Sequence, residues 1–244
     1  MASPSSKLAV VTAETTQTRL YTGGRLLKHE EIPRLLLESN KQWAESVQNA
    51  SPTAFSQLSK GQEPRVLWIG CADSRTSPNT LLGGAPMGEL FIHRNIANVV
   101  SPNDLSSMSV LTYAVEYLGV DHIVVAGHTC CGGIRGAIAK QPLGILDHWL
   151  APVRQLIHTH KHELDAESCE EKKEKKVIDL NVINGVRALA GTEVVQKAWK
   201  NGKKLTLHAW VFHIETGRLE DLGHSISSVE QVAEPFKYDL PSSK

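Results

Sequence analysis

Hydrophobic positions along this chain alternate between a helical spacing and short unbroken runs. From His29 to about Val47, the residues Ile32, Leu36, Trp43 and Val47 fall on one face of a predicted helix. "SPTAFSQLSKGQEP" reads as a loop with a short helical piece. "RVLWIG", ending in Gly70, is a compact apolar run of strand length, and "HIVVAG", ending in Gly127, repeats that design. "LFIHR" (Leu90–Arg94) is a further strand candidate. "NDLSSMSVLTYAVEYLG" reads as a helix, with Asn103 and Asp104 as N-cap candidates and Gly119 as the stop. Its apolar stripe is Leu111, Ala114, Val115 and Leu118. "GGIRGAIAK" opens a short helix, and residues from about Leu143 to Lys200 read as mostly helical. "KLTLHAWVFHIETGRLEDLG" reads as a β-hairpin turning at "ETG".

Strands alternating with helices predict an α/β fold, a mostly parallel central β-sheet flanked by helices. The first residues are rich in Ser and Thr and lack periodicity. The expected organisation is a mobile arm over residues 1–27, a domain over 28–225 and a tail over 226–244.

Composition narrows the function classes. Lys+Arg and Asp+Glu balance at 26 each, so no net charge draws the chain to nucleic acid or an acidic membrane. No run of about 20 apolar residues is present, which argues against a membrane-spanning helix. The apolar patch Leu8–Val11 is too short for a signal-peptide core, and Lys7 and Arg19 are the only basic residues before position 20. A cytoplasmic protein is expected, a mitochondrial one less so. The cysteines are Cys71, Cys130, Cys131 and Cys169, which in such a compartment read as thiols or metal ligands rather than a disulfide framework.

The chemistry concentrates in "GCADSR" (Gly70–Arg75) and "GHTCCGG" (Gly127–Gly133), each directly after a strand–glycine unit. In open α/β sheets, sites form beyond the carboxyl ends of strands, so both segments are expected at one sheet edge. Cys71, His128 and Cys131 then offer two thiolates and one imidazole, a donor set suited to tetrahedral zinc with one position left open. Adjacent residues point apart in extended backbone, so Cys131 is the expected ligand and Cys130 a buried thiol. Gly132 and Gly133 let the backbone pass close to the site and aim an N–H at a bound anion. Asp73 and Arg75 lie two and four residues beyond Cys71, on one side of an extended segment. An Asp paired to Arg stays ionised. It either accepts a hydrogen bond from the oxygen on the metal or becomes a fourth ligand and closes the site.

These motifs resemble those of the β-class carbonic anhydrases. "CADSR" is similar to that family's Cys-x-Asp-x-Arg, and "GHTCCGG" to its Gly-His-x-x-Cys-Gly-Gly. "HRNIAN", "LLESNKQWAE", "GQEPRVLWIG" and "HAWVFHIETGRLEDLG" extend the similarity over roughly residues 28–225, with the filamentous-fungal branch nearest. The resemblance implies one zinc ion per subunit on Cys71, His128 and Cys131, with Asp73 and Arg75 as a catalytic dyad and Gly132 at the substrate. It implies reversible hydration of carbon dioxide to bicarbonate and a proton by a zinc-bound hydroxide. It also implies a homodimer or dimer-of-dimers tetramer, in which the His29–Val47 helix is an arm packed on the partner subunit.

Two departures stand out. Some relatives hold a non-catalytic bicarbonate on a Trp, an Arg and a Tyr; Trp68 and Arg94 match the first two, but Phe212 stands at the tyrosine position and has no hydroxyl. "GGAPMGELF" is one residue longer than the usual segment before "HRN". His93 and Tyr113 are candidate proton carriers, and His158 and His162, four apart, form a weaker candidate metal pair. "EEKKEKK" (Glu170–Lys176) reads as an exposed helix surface, with Cys169 beside it as a free thiol. Rival readings are hydrolysis of carbon disulfide or carbonyl sulfide at the same site, and a structural zinc capped by Asp73. A cysteine phosphatase fails on spacing, because only four residues separate Cys130 from Arg135.

Overall fold

The computed structural model describes residues 21–22, 25–26 and 29–240. The expected mobile arm over 1–27 lies outside these, apart from a two-residue ladder of β1 (Tyr21–Thr22) with β2 (Arg25–Leu26). The chain divides into two compact units, residues 1–62 and 63–244. In the first, α1 (Glu31–Ala50) realises the predicted amphipathic helix. None of its residues is buried; Leu36 is 59% and Leu37 74% exposed. Trp43 meets Phe55 of α2 (Ala54–Leu58) edge-on at 5.8 Å.

The second unit is built on β3 (Val66–Cys71), β4 (Leu90–Asn95), β5 (His122–His128), β6 (Thr206–His213) and β7 (Arg218–Ile226). Their order is β4-β3-β5-β6-β7, parallel throughout except for β7, which returns antiparallel to β6. β5 is central and buried from Ile123 to His128, as an unbroken apolar run covered on both faces must be. One face presents Leu67, Ile69, Ile123, Val125, Leu207 and Ala209 to the main core. The other carries a small cluster of Trp68, Val124 and Ala126 with Trp210.

Between the short α3 (Pro78–Leu81) and β5, the predicted helix forms as α4 (Leu105–Thr112). Asp104 caps it, accepting from the amides of Ser106 and Ser107 at 3.1 and 3.2 Å; Asn103 takes no part in the cap. The helix then widens into a π turn over Tyr113–Leu118, a change the apolar stripe does not announce, before Gly119 stops it at φ 72°. α5 (Gly132–Ile138) is the short helix expected after the glycine pair.

The stretch expected to be mostly helical from Leu143 to Lys200 is broken into α6 (Ile145–Trp149), α7 (Ala151–Thr159), α8 (Lys161–Asp165), α9 (Glu170–Ala190) and α10 (Glu193–Lys200). Pro152 starts a new helix because its ring suits a first turn and disrupts an interior. The break at His160 leaves His158 and His162 on different helices, so their spacing is not one helical turn. "EEKKEKK" is only partly a free surface. Glu174 pairs with Arg135 at 2.8 Å, Lys175 with Asp179 at 3.0 Å, and Lys176 with Glu163 at 3.3 Å. Cys169 is exposed and unpaired.

Beyond β7 the chain folds back. Val232 is buried, and the fully buried Gln196 of α10 grips the passing backbone. Its Nε2 donates to Ala190 O and Phe236 O at 3.0 and 2.7 Å, and its Oε1 accepts from Tyr238 N at 2.9 Å.

Helix α9 lies directly on β5. A Cβ at Gly127 would stand 2.6 Å from Val182 Cγ2 and 3.1 Å from Ile178 Cγ2. Both neighbours are buried branched side chains with little room to move. Gly127→Ala is therefore expected to destabilise the fold by about 1–3 kcal/mol, read as a lower urea midpoint. An unchanged midpoint would show that α9 is not pressed against the strand.

Candidate metal centre

The sheet delivers the site. Cys71 is the last residue of β3 and His128 the last of β5. These strands are parallel neighbours with Gly70 opposite Ala126, so both side chains leave the sheet at one edge. The chain then turns through Thr129 and Cys130, and Cys131 opens α5. The ligand atoms of Cys71, His128 and Cys131 all lie within 4.8 Å of one another, and all three residues are buried.

Cys130 makes that turn possible. Its φ of 57° is left-handed, an uncommon conformation for a residue with a side chain. The reversal turns Cys131 inward and Cys130 outward. Cys130 is thus half-exposed rather than the buried thiol expected, with Sγ 3.9 Å from Glu215 Oε1. Gly133 is required for a different reason. A Cβ there would stand 2.9 Å from Ala97 Cβ, in a segment where Ala97 and Asn98 are also left-handed. At Gly132 a Cβ would meet nothing within 4 Å, so the space beside its backbone is open.

The buried groups form a donor set for a cation. His128 Nδ1 lies 2.8 Å from Thr129 O, an acceptor only, so Nδ1 carries the proton. That leaves a lone pair on Nε2, which is buried and has no hydrogen-bond partner. The hydrogen bond to Cys131 pulls the Cys71 thiol down to about 4 against the opposing effect of burial, and His128 adds to the pull. The same bond to Cys71, joined by burial, pushes Cys131 far upward. Burial, the largest single effect, pulls His128 down, but the neighbouring Cys71 sulfur, the Thr129 carbonyl and Asp73 together raise it. Two sulfurs and an imidazole are thus competing for protons in one volume. A divalent ion that prefers S and N donors would satisfy all three, so the residues fit zinc.

Asp73 and Arg75 form the expected pair. Arg75 Nε donates to Asp73 Oδ1 at 2.9 Å, Nη2 donates to Oδ2 at 2.7 Å, and the Arg75 amide also reaches Oδ1 at 2.9 Å. The fork holds the Asp73 carboxyl well below the usual carboxylate range. Oδ2 lies 3.8 Å from His128 Nε2, which places the carboxylate beside the ligand cluster.

Sequence reasoning missed two supports. Arg94 donates from Nε to Cys71 O at 2.8 Å and from Nη2 to Asp73 O at 2.6 Å, so it clamps the backbone that carries both residues. Thr129 is fastened to the β6–β7 hairpin three ways. Its amide donates to Phe212 O at 3.0 Å, its Oγ1 accepts from Ile214 N at 2.9 Å, and Oγ1 donates to Glu215 Oε2 at 2.7 Å. Since Thr129 O is the acceptor for His128, the hairpin fixes the ligand ring. His93 and Tyr113 are engaged in other contacts. His93 Nε2 lies within 3.0 Å of Ser107 Oγ, and Tyr113 stacks between Phe91 and Tyr117.

Comparison with known proteins gives a consistent result. A family model described as carbonic anhydrase matches residues 66–219. The carbonic anhydrase of Emericella nidulans is 44% identical over 193 residues, covering 79% of this chain and 84% of that one. The carbonic anhydrase of Candida albicans is 35% identical, covering 86% and 77%. Among solved structures, a tetrameric β-carbonic anhydrase from Sordaria macrospora superposes with a TM-score of 0.78 at 39% identity, covering 81% and 100%. The β-carbonic anhydrase CafA of Aspergillus fumigatus gives 0.74 at 42%, covering 78% and 89%.

Thr129→Val keeps the shape of the side chain but removes the hydroxyl, leaving Glu215 and Ile214 N without their partner. Release of zinc to a chromogenic chelator is expected to become about 10–100-fold faster, with overall stability lowered by about 1–3 kcal/mol. Unaltered release would mean that the hairpin does not hold the ligand ring.

Proposed function

The chain belongs to the β-class carbonic anhydrase family, and on that premise we propose that Cys71, His128 and Cys131 hold one zinc ion at which carbon dioxide is reversibly hydrated to bicarbonate and a proton. The observation that carries the reading is the buried three-ligand cluster, with its bare Nε2 and a carboxylate held beside it. Zinc on two thiolates and an imidazole supplies, when bound, a water acidic enough to be deprotonated near neutral pH. The protein's own groups do the rest. Asp73 is ionised and can only accept, so it orients the O–H of the attacking oxygen. Arg75 grips both carboxylate oxygens, keeping Asp73 turned and charged. That grip favours Asp73 as an orienting base over Asp73 as a fourth ligand, since a ligand oxygen would have to leave the fork. Gly132, with no side chain and open space beside it, leaves room for carbon dioxide and the departing bicarbonate.

The assembled form we infer is a homodimer or a dimer of dimers. The apolar, exposed residues of α1 support it, as does the similarity to the tetrameric Sordaria enzyme. Four unpaired cysteines suit a reducing, cytoplasmic setting, and among the described residues no helix is long and apolar enough to cross a membrane.

Stopped-flow hydration of carbon dioxide by the zinc-loaded protein tests the main reading. Because Asp73 ionises far below the ordinary carboxylate value of about 3.9, it stays charged as pH falls through the mildly acidic range. Activity is therefore expected to be strong already near neutral pH, with no limb from Asp73 protonation. Activity only at alkaline pH would show Asp73 occupying the metal. No hydration with zinc bound would transfer the reading to the sulfur-containing substrates or to a structural ion. Asp73→Asn should lower kcat by about 100-fold or more while zinc content stays constant.

The arm has its own test. Leu36→Glu with Leu37→Glu puts charge on the exposed apolar face of α1. Light scattering is expected to show a shift to smaller species, and an unshifted mass would remove α1 from the interface.

A further inference from the structure

A second cluster of nitrogen ligands lies at the opposite end of the sheet. His122 is the first residue of β5, whereas His128 is the last, so the two are about 20 Å apart along the strand. On neighbouring β6, His208 turns its ring toward His122, and the two rings lie 5.3 Å apart. His122 Nδ1 and His208 Nε2 are separated by 3.1 Å. His208 Nδ1 lies 3.3 Å from Ser225 Oγ on β7, a partner that fixes the ring with Nε2 facing His122. The ring also packs 5.7 Å from that of Trp210, which limits its rotation.

We propose that His122 and His208 form a second, surface metal site that takes a divalent transition-metal ion such as nickel, copper or zinc. Two imidazole nitrogens this close are held either by one shared proton or by an ion between them. Adjacent nitrogens on a tetrahedral ion with bonds of 2.0–2.1 Å stand about 3.3 Å apart, close to the separation here, so the rings chelate after turning their facing nitrogens toward one point. Imidazole is a good ligand for all three ions. Ser225 supplies the outer hydrogen bond that metal-bound histidines ordinarily have. Asp221, the cross-strand partner of Trp210, adds negative charge on the same face of the sheet. Its Oδ1 accepts from Gly223 N at 2.9 Å. The nearby Arg65 and Asp121 are already paired with each other at 2.7 Å and do not compete. Burial of His208 disfavours its charged form, and the neighbouring His122 does the same; both keep the ring available as a ligand at neutral pH. On binding, the proton between the rings, carried on His122 Nδ1, moves through solvent to His122 Nε2, so both facing nitrogens present lone pairs to the ion and both rings stay neutral. No oxidation or reduction is involved.

Calorimetric titration of the zinc-loaded protein with nickel tests the site, because nickel favours imidazole and does not oxidise thiols. His122→Gln and His208→Gln are suitable variants. Neither residue belongs to the catalytic centre, and His122 is exposed, so that variant disturbs no core packing. The wild type is expected to bind one more nickel ion per chain than either variant, while carbon dioxide hydration by all three zinc-loaded proteins stays the same. Identical isotherms for the wild type and both variants would overturn the proposal and leave the pair as a hydrogen bond alone.

Discussion

The parallel pairing of β3 with β5 is the constraint from which the site follows. Each strand ends in a ligand, so the register that sets Gly70 against Ala126 also sets Cys71 beside His128. A shift of one residue would turn every side chain of one strand to the other face. It would separate Cys71 from His128 and move Trp68, or Val124 if β5 slipped instead, into the main core. The burial of β5 between α9 on one side and the tryptophan cluster on the other makes such a shift costly. The apolar pattern of the strands and the position of the Cys71, His128 and Cys131 cluster are thus one specification.

Around the ligands the chain places charges in a graded way. The innermost groups, two sulfurs and an imidazole, compete for protons in a buried volume. Next to them Asp73 is kept negative by a two-pronged arginine, and Arg94 uses its own charge on carbonyl oxygens of the same segment. The two arginines have different tasks. Arg75 sets the orientation of a side chain, while Arg94 sets the path of the backbone beneath it. The tryptophan, arginine and phenylalanine singled out in the sequence are also spread between these tasks. Trp68 packs against Trp210, Arg94 is occupied by the site loop, and Phe212 offers its carbonyl to Thr129.

The fold class and the clustering of Cys71, His128 and Cys131 were legible because their signals are local. A short apolar run followed by glycine and a reactive residue marks a strand end, whatever surrounds it. The supports were not legible because their partners lie far along the chain. Nothing near Thr129 indicates Glu215, and nothing near Arg94 indicates Cys71 O. The exposure of Cys130 was misjudged because a left-handed residue other than glycine carries no sequence signal of its own. The π turn after Thr112 carries no signal in the apolar periodicity, and of the breaks in the long helical stretch only that at Pro152 has a residue that marks it. The His122–His208 contact was hidden for the same reason, since it joins strands that are distant in sequence.

Gln196 gives the end of the described chain an unexpected standing. The segment after β7 has only short 3-10 turns, so by its conformation it would be taken for a loose end. Yet the buried amide of Gln196 has its hydrogen bonds completed there, by Phe236 O and Tyr238 N. Peeling this segment away would leave a polar group stranded in the core, at a cost of about 1–3 kcal/mol. Solvent exchange at the Tyr238 amide would consequently follow the opening of the core rather than the fraying of a terminus. The segment behaves as the last wedge of the domain, and its amides are a reporter of how often the domain opens.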